Sequence, residues 1–105
     1  MELLKDADRF DHAQPWFVGE IIERVKRDLE EGGLKGEALK NLCGNIAFSV
    51  CALIDGAAEF EADGVGLVSY LAFSERDDMM FYPGDNSNLH EYVFGVLDEI
   101  FEDDA

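Results

Sequence analysis

The chain has 105 residues, 48% hydrophobic and 11% aromatic, with 24 acids against eight lysines and arginines and a formal charge of −16. That length suits one domain, residues 1–105, burying roughly two-thirds of its unfolded surface, and the apolar content excludes wholesale disorder. The charge opposes binding to nucleic acid phosphate. No run of eighteen apolar residues and no basic segment ahead of an apolar one is present, so the expectation is a cytoplasmic protein with neither membrane span nor signal peptide.

From the N-terminus, Leu3, Leu4, Ala7 and Phe10 fall at helical spacing, which predicts a short helix or arm within residues 1–14. Pro15 suits a helix first turn, where its missing N–H is not needed. Trp16, Phe17, Val18, Ile21, Ile22, Val25 and Leu29 then trace an amphipathic stripe to about Glu31, with Glu23 and Arg27 spaced for a surface ion pair. Gly32-Gly33 ends that helix. The short link to Gly36 predicts an antiparallel helical hairpin.

The next helix, Gly36 to Gly56, is the one around which the other segments are organised. Leu39, Leu42, Cys43, Ile46, Ala47, Val50, Leu53 and Ile54 share one broad face, and Phe48, Cys51 and Ala52 widen it. A helix apolar on most of its circumference is normally surrounded by other elements. Gly44 costs about 1 kcal/mol relative to Ala inside a helix, which close approach of a neighbour would offset. Asp55-Gly56 reads as the stop. Cys43 and Cys51 stand about 12 Å apart along this helix, too far for a disulfide, and are expected to be buried free thiols in a reducing compartment.

Beyond Gly56 the period changes. Residues 57–64 predict a loop or a short edge strand around Phe60. Residues 65–73 and Met79–Tyr82 predict a hairpin across a polar turn, stopped by Pro83-Gly84. Two strands alone are marginal, so a third strand from around Phe60, a covering helix or pairing across a dimer should complete the sheet. Asn88 with Glu91 resembles a capping box opening a final helix, whose buried stripe is Leu89, Val93, Val96, Leu97, Ile100 and Phe101. An acidic tail over 102–105 should fray against the helix dipole. The fold class expected is therefore α+β: a helical hairpin and a C-terminal helix on a small antiparallel sheet of two to three strands.

Chemistry-bearing motifs are few. Glu59, Glu61, Asp63 and Gly64 match the opening of a calcium loop, but its twelfth position is Tyr70 and no bidentate carboxylate follows. His90-Glu91 starts a zincin-like pattern whose second histidine position holds Phe94. Ser49 and Ser69 lack a nucleophile-elbow context, and Gly64-x-Gly66 is too little for a phosphate loop. No catalytic constellation, metal site or cofactor is expected.

Charge is the stronger signal. Seven of the eight basic residues precede position 41, and from Asp77 onward there are nine acids and no base. Such a surface either serves solubility alone, or suits a salt-rich cytoplasm, or attracts a basic protein and speeds that encounter. The acids of the 59–63 loop, the 75–78 turn and the 98–104 tail are the candidate contacts: Glu59, Glu61, Asp63, Asp77, Asp78, Asp98 and Glu99. Tyr82 joins them from a set with Tyr70, Met79, Met80 and Trp16, whose side chains either present anchors to a partner or fill the space between sheet and helices.

A helix ending Ala52-Leu53-Ile54-Asp55-Gly56, then a hairpin, then a helix opening Leu89-His90-Glu91-Tyr92 resembles a group of small, functionally unassigned bacterial proteins. Several of those resemble immunity proteins, which neutralise a partner toxin. The resemblance covers about half the chain, transfers no catalytic residue, and implies an immunity or antitoxin-type inhibitor of a basic partner. Two alternatives stand beside it. One is a self-associating structural domain, a homodimer through the exposed hairpin edge. The other is a small ligand-binding domain with its site between sheet and helix.

Overall fold

The computed structural model describes residues 2–76 and 78–102. Elements follow in the order β1 (Glu2–Lys5), α1 (Ala7–Glu31), α2 (Gly36–Ile54), β2 (Phe60–Ala62), β3 (Val65–Leu67), β4 (Phe73–Arg76), β5 (Met79–Tyr82), a 3-10 turn (Leu89–Tyr92) and α3 (Val93–Glu102). The fold is α+β. α1 and α2 form the helical hairpin, and α3 packs against both. Val18 and Ile22 of α1, Cys43, Ala47 and Cys51 of α2, and Leu89, Val93 and Leu97 of the C-terminal segment meet in one fully buried core.

The N-terminus departs from its helical pattern. Residues 2–5 form an edge strand parallel to β5, with Glu2 opposite Met79 and Lys5 opposite Tyr82. Backbone bonds from Glu2 N to Asp78 O (3.0 Å) and from Asp6 N to Tyr82 O (2.9 Å) fix both ends. Here non-local pairing outweighs local helix propensity, which is a weak prior over so few residues.

The helix then starts at Asp6, whose carboxylate accepts from Arg9 N at 3.2 Å, and runs through Pro15 without a break. A proline inside a helix costs about 3 kcal/mol and one backbone bond. Two fully buried residues ahead of it, Phe10 and Gln14, anchor the first turns by tertiary contact and offset that loss. Glu20 and Arg24 form an ion pair four residues apart on this helix, and the expected Glu23–Arg27 pair does not form among the described residues.

The sheet differs in detail from the expected meander. β5 is central in the order β1–β5–β4, antiparallel to β4 and parallel to β1, so the third strand comes from the N-terminus and the sheet is mixed. Its inner face carries Phe81 and Phe73, whose rings meet at 6.1 Å, and Phe73 in turn meets Phe10 (tilted, 4.9 Å) and Phe17 (edge-on, 5.4 Å) of α1. The Arg9 guanidinium lies 4.4 Å over the Phe81 ring and ion-pairs with Glu75.

Residues 65–73 are not one strand. β3 stops at Leu67 and pairs with β2 in a separate two-stranded ribbon. Asp63 (φ 53°) and Gly64 (φ 80°) make its two-residue turn, the backbone shape whose twist suits a tight hairpin and which Asp-Gly adopts readily. All of 57–68 is exposed. The ribbon therefore projects from the body, and the radius of gyration is 15.5 Å where a packed chain of this length gives about 13 Å.

α2 is less enclosed than its composition predicts. Leu39, Cys43, Gly44, Ala47 and Cys51 are buried, but Leu42, Phe48, Val50 and Leu53 are exposed. Two packed helices cover only part of its circumference. Gly44 is where α3 comes closest: an added Cβ would lie 2.8 Å from Leu97 Cδ2 and 3.2 Å from Phe94 Cε1. Among the described residues α2 is the one helix whose length and mean hydropathy, 1.2, would suit a membrane span; its buried face is that of a core helix.

Candidate functional site

Two features concentrate polar chemistry or uncovered apolar surface. The first is a buried polar knot joining the end of α2 to the start of the C-terminal segment. Asp55, at the α2 C-cap and 3% exposed, accepts hydrogen bonds from Ser87 Oγ (2.5 Å), Leu89 N (2.9 Å) and His90 N (2.8 Å). The His90 ring Nδ1 lies 2.5 Å from Asp55 Oδ2, and Asn86 Nδ2 donates to the Asp55 carbonyl at 2.9 Å. Burial by itself pushes this carboxyl pKa up. The donors from Ser87, His90 and Leu89 outweigh burial and hold it below the usual carboxylate value.

Gln14 supplies the second half of the knot. Its Oε1 accepts from Asn88 N at 2.8 Å, and its Nε2 donates to Asn88 Oδ1 (2.6 Å) and to Asp11 Oδ1 (3.0 Å). Asn88 makes no side-chain cap to the backbone that follows it. The capping box expected there is replaced: Asp55, from another helix, accepts the N–H groups of Leu89 and His90, while Asn88 Nδ2 turns to Glu91 Oε2 at 2.5 Å.

The Asp55–His90 pair has the form of a carboxylate orienting an imidazole. The Ser87 hydroxyl donates to the same carboxylate instead of facing the ring, and the Phe48 ring stands edge-on to His90 at 5.6 Å. No group of three or more metal-ligating side chains occurs among the described residues. The geometry is that of a structural clasp. The buried thiols are equally inert: burial, then the Asp55 charge, pushes Cys51 up to about 11, and burial raises Cys43, which donates to Ile22 O at 3.5 Å.

The second feature is the β2–β3 ribbon. Phe60 stands opposite Leu67, and Ala62 opposite Val65, so these four share one face. Glu61 stands opposite Gly66 on the other face, where the Glu59 carboxylate also lies, 3.0 Å from the position of an added Gly66 Cβ. The ribbon is amphipathic, and its apolar face is uncovered: Phe60 is 44% and Val65 59% exposed. On α2, Leu42, Val50 and Leu53 form a second uncovered apolar stripe.

The acids singled out from the sequence divide among three elements. Glu59, Glu61 and Asp63 lie together on the ribbon, with Asp63 in its turn. Asp78 lies beside Arg9 and Glu75 at the start of β5, and Asp77 lies outside the described residues. Asp98 and Glu99 are on α3, where Asp98 pairs with Lys40 at 2.9 Å. Tyr82 ends β5 half-buried. Local reading missed Asp55 and Gln14, the two buried polar side chains that hold the knot together. Asp55 is satisfied as a helix stop in sequence, and only its partners more than thirty residues away reveal its second role.

An open groove of about 800 Å³ lies among helix ends and is lined by charges of both signs, including Glu30, Lys35, Lys40 and Asp98. Comparison with known proteins finds no family model, no curated protein and no solved structure that matches the chain.

Proposed function

We propose that the chain is a protein-binding domain of immunity or antitoxin type, which docks a basic partner through the β2–β3 ribbon. The observation that carries this reading is the uncovered apolar face of Phe60, Ala62, Val65 and Leu67, backed by Glu59 and Glu61. An uncovered, contiguous apolar patch is a surface pattern of interaction sites, and here the carboxylates stand on the face behind it. The net charge of −16 favours a basic protein over an anionic membrane surface, which it repels.

The two faces have different work. Apolar contact holds the complex, so its loss acts mainly on dissociation. The carboxylates on the reverse act across a Debye length of about 8 Å at physiological salt, so their reversal acts mainly on association. The test compares tagged wild type with Phe60→Ser/Leu67→Ser and Glu59→Lys/Glu61→Lys, measuring capture and kinetics of the basic protein retained from the source organism. The expected result is faster dissociation for the first variant and slower, less salt-dependent association for the second. Unchanged kinetics in both would sink the reading. Capture of the chain's own copies alone, with a mass that rises with concentration, would replace it by the homodimer.

A further inference from the structure

A groove of about 340 Å³ runs between α1 and α3, on different elements from the ribbon. Pro15, Trp16 and Gly19 form its α1 wall, and Val96 and Ile100 its α3 wall. Gly19 contributes no side chain, and Val96 Cγ1 lies 3.8 Å from where a Cβ would stand, so the valine side chain reaches over the glycine and forms an apolar floor. Trp16 rises from it 74% exposed, a costly placement for the one tryptophan in the chain.

The rim is acidic: Glu20, Glu23 and Glu99. Glu20 is taken by Arg24. Glu23 and Glu99 form no ion pair among the described residues. An exposed indole that shares one apolar-floored groove with two carboxylates outside any ion pair among the described residues matches the parts of one long side chain. A guanidinium stacks flat on the indole and forks to a carboxylate, and its methylene stem lies on apolar surface. The ammonium of lysine is a hydrated point charge and uses the stacking surface less well. A groove this size admits long side chains but no helix, which is about 10 Å across.

We infer that the Trp16 groove receives an arginine side chain of a basic protein partner. The partner's class rests on the function proposed above, while the contact is separate from the ribbon. Trp16 reports on the groove alone, so its fluorescence is titrated with a short alanine–arginine peptide and with the same peptide carrying citrulline, the uncharged isostere. The arginine peptide should shift and quench the emission, and the citrulline peptide should leave it unchanged. Glu23→Gln/Glu99→Gln should weaken binding about tenfold, as expected for losing charge-assisted partners. Glu30→Gln/Glu37→Gln removes equal charge elsewhere and should weaken it no more than about twofold, the scale of a screened long-range term.

Equal weakening by the two double variants, or equal response to the two peptides, would overturn the inference. Circular dichroism on each variant establishes that the fold is intact. Phe60→Ser/Leu67→Ser separates the two readings. A partner lost by that variant while Trp16 stays silent to the peptide leaves the ribbon standing and removes the groove. An intact Trp16 titration with partner kinetics indifferent to the ribbon variant does the reverse.

Discussion

Replacing Asp55 with alanine tests how the chain holds its C-terminal segment. The carboxylate accepts from Ser87 Oγ, Leu89 N, His90 N and His90 Nδ1, and its removal strands buried donors at the start of the 3-10 turn. Each stranded donor costs about 1–3 kcal/mol. His90 is partly exposed and can rehydrate, and the serine hydroxyl can rotate, so about 3–5 kcal/mol is expected in total. Against a domain stability of about 5–15 kcal/mol, the variant should stay folded in mild conditions but with Tm lower by at least about 12 °C. Urea unfolding followed by far-UV ellipticity measures this. A loss below about 1 kcal/mol, the scale of an ordinary surface change, would refute the clasp.

The same residue gives a pH signature. Its carboxyl pKa is lowered in the folded state, so its contribution is full above the unfolded pKa, near 3.9, and is lost as pH falls through the folded value. Many other carboxylates titrate in that window, and their protonation relieves repulsion, so the informative quantity is the difference between wild type and Asp55→Asn. That difference should shrink from pH 7 toward pH 3. Growth toward acid would contradict the assignment.

Glycine substitutions separate packing from propensity. Gly44→Ala should destabilise by about 1–3 kcal/mol through overpacking, because its Cβ would meet Leu97 and Phe94; Gly95→Ala meets nothing within 4 Å and should stabilise by about 0.5–1 kcal/mol, both read from urea midpoints. Neither Cys43 nor Cys51 should react with a thiol reagent at pH 8 in the native state, and both should react in denaturant, since both are buried with raised pKa. Added sodium chloride should raise Tm by screening the repulsion within a chain of charge −16; a fall would show that ion pairs such as Lys40–Asp98 dominate instead.

What was legible in the sequence is what depends on local periodicity. The second half of α1, the buried face of α2 and the stripe of α3 follow from apolar spacing, and Gly44 announced a close neighbour. β1 could not be read, because four residues of helical composition are decided by pairing with a strand at the far end of the chain. Pro15 misled for the same reason: Phe10 and Gln14, buried by tertiary contact, carry the helix back past it to Asp6. The ribbon was half legible. Asp63-Gly64 is a hairpin turn by its chemistry, but the β-rich run after it suggested one strand through Phe73 where two strands in different sheets stand. Asp55 looks ordinary in sequence, while Trp16 reads there both as part of the α1 stripe and as an interface aromatic; the settings of both depend on residues brought in from α3 and its approach.

The central claim concerns which surface is used. Amide hydrogen exchange on the chain, alone and saturated with the basic partner, tests it directly. The ribbon account predicts slowed exchange across residues 60–67 on binding, with β4 and β5 unchanged. Slowing confined to β4 and β5, with the ribbon exchanging as fast as in the free chain, would contradict it.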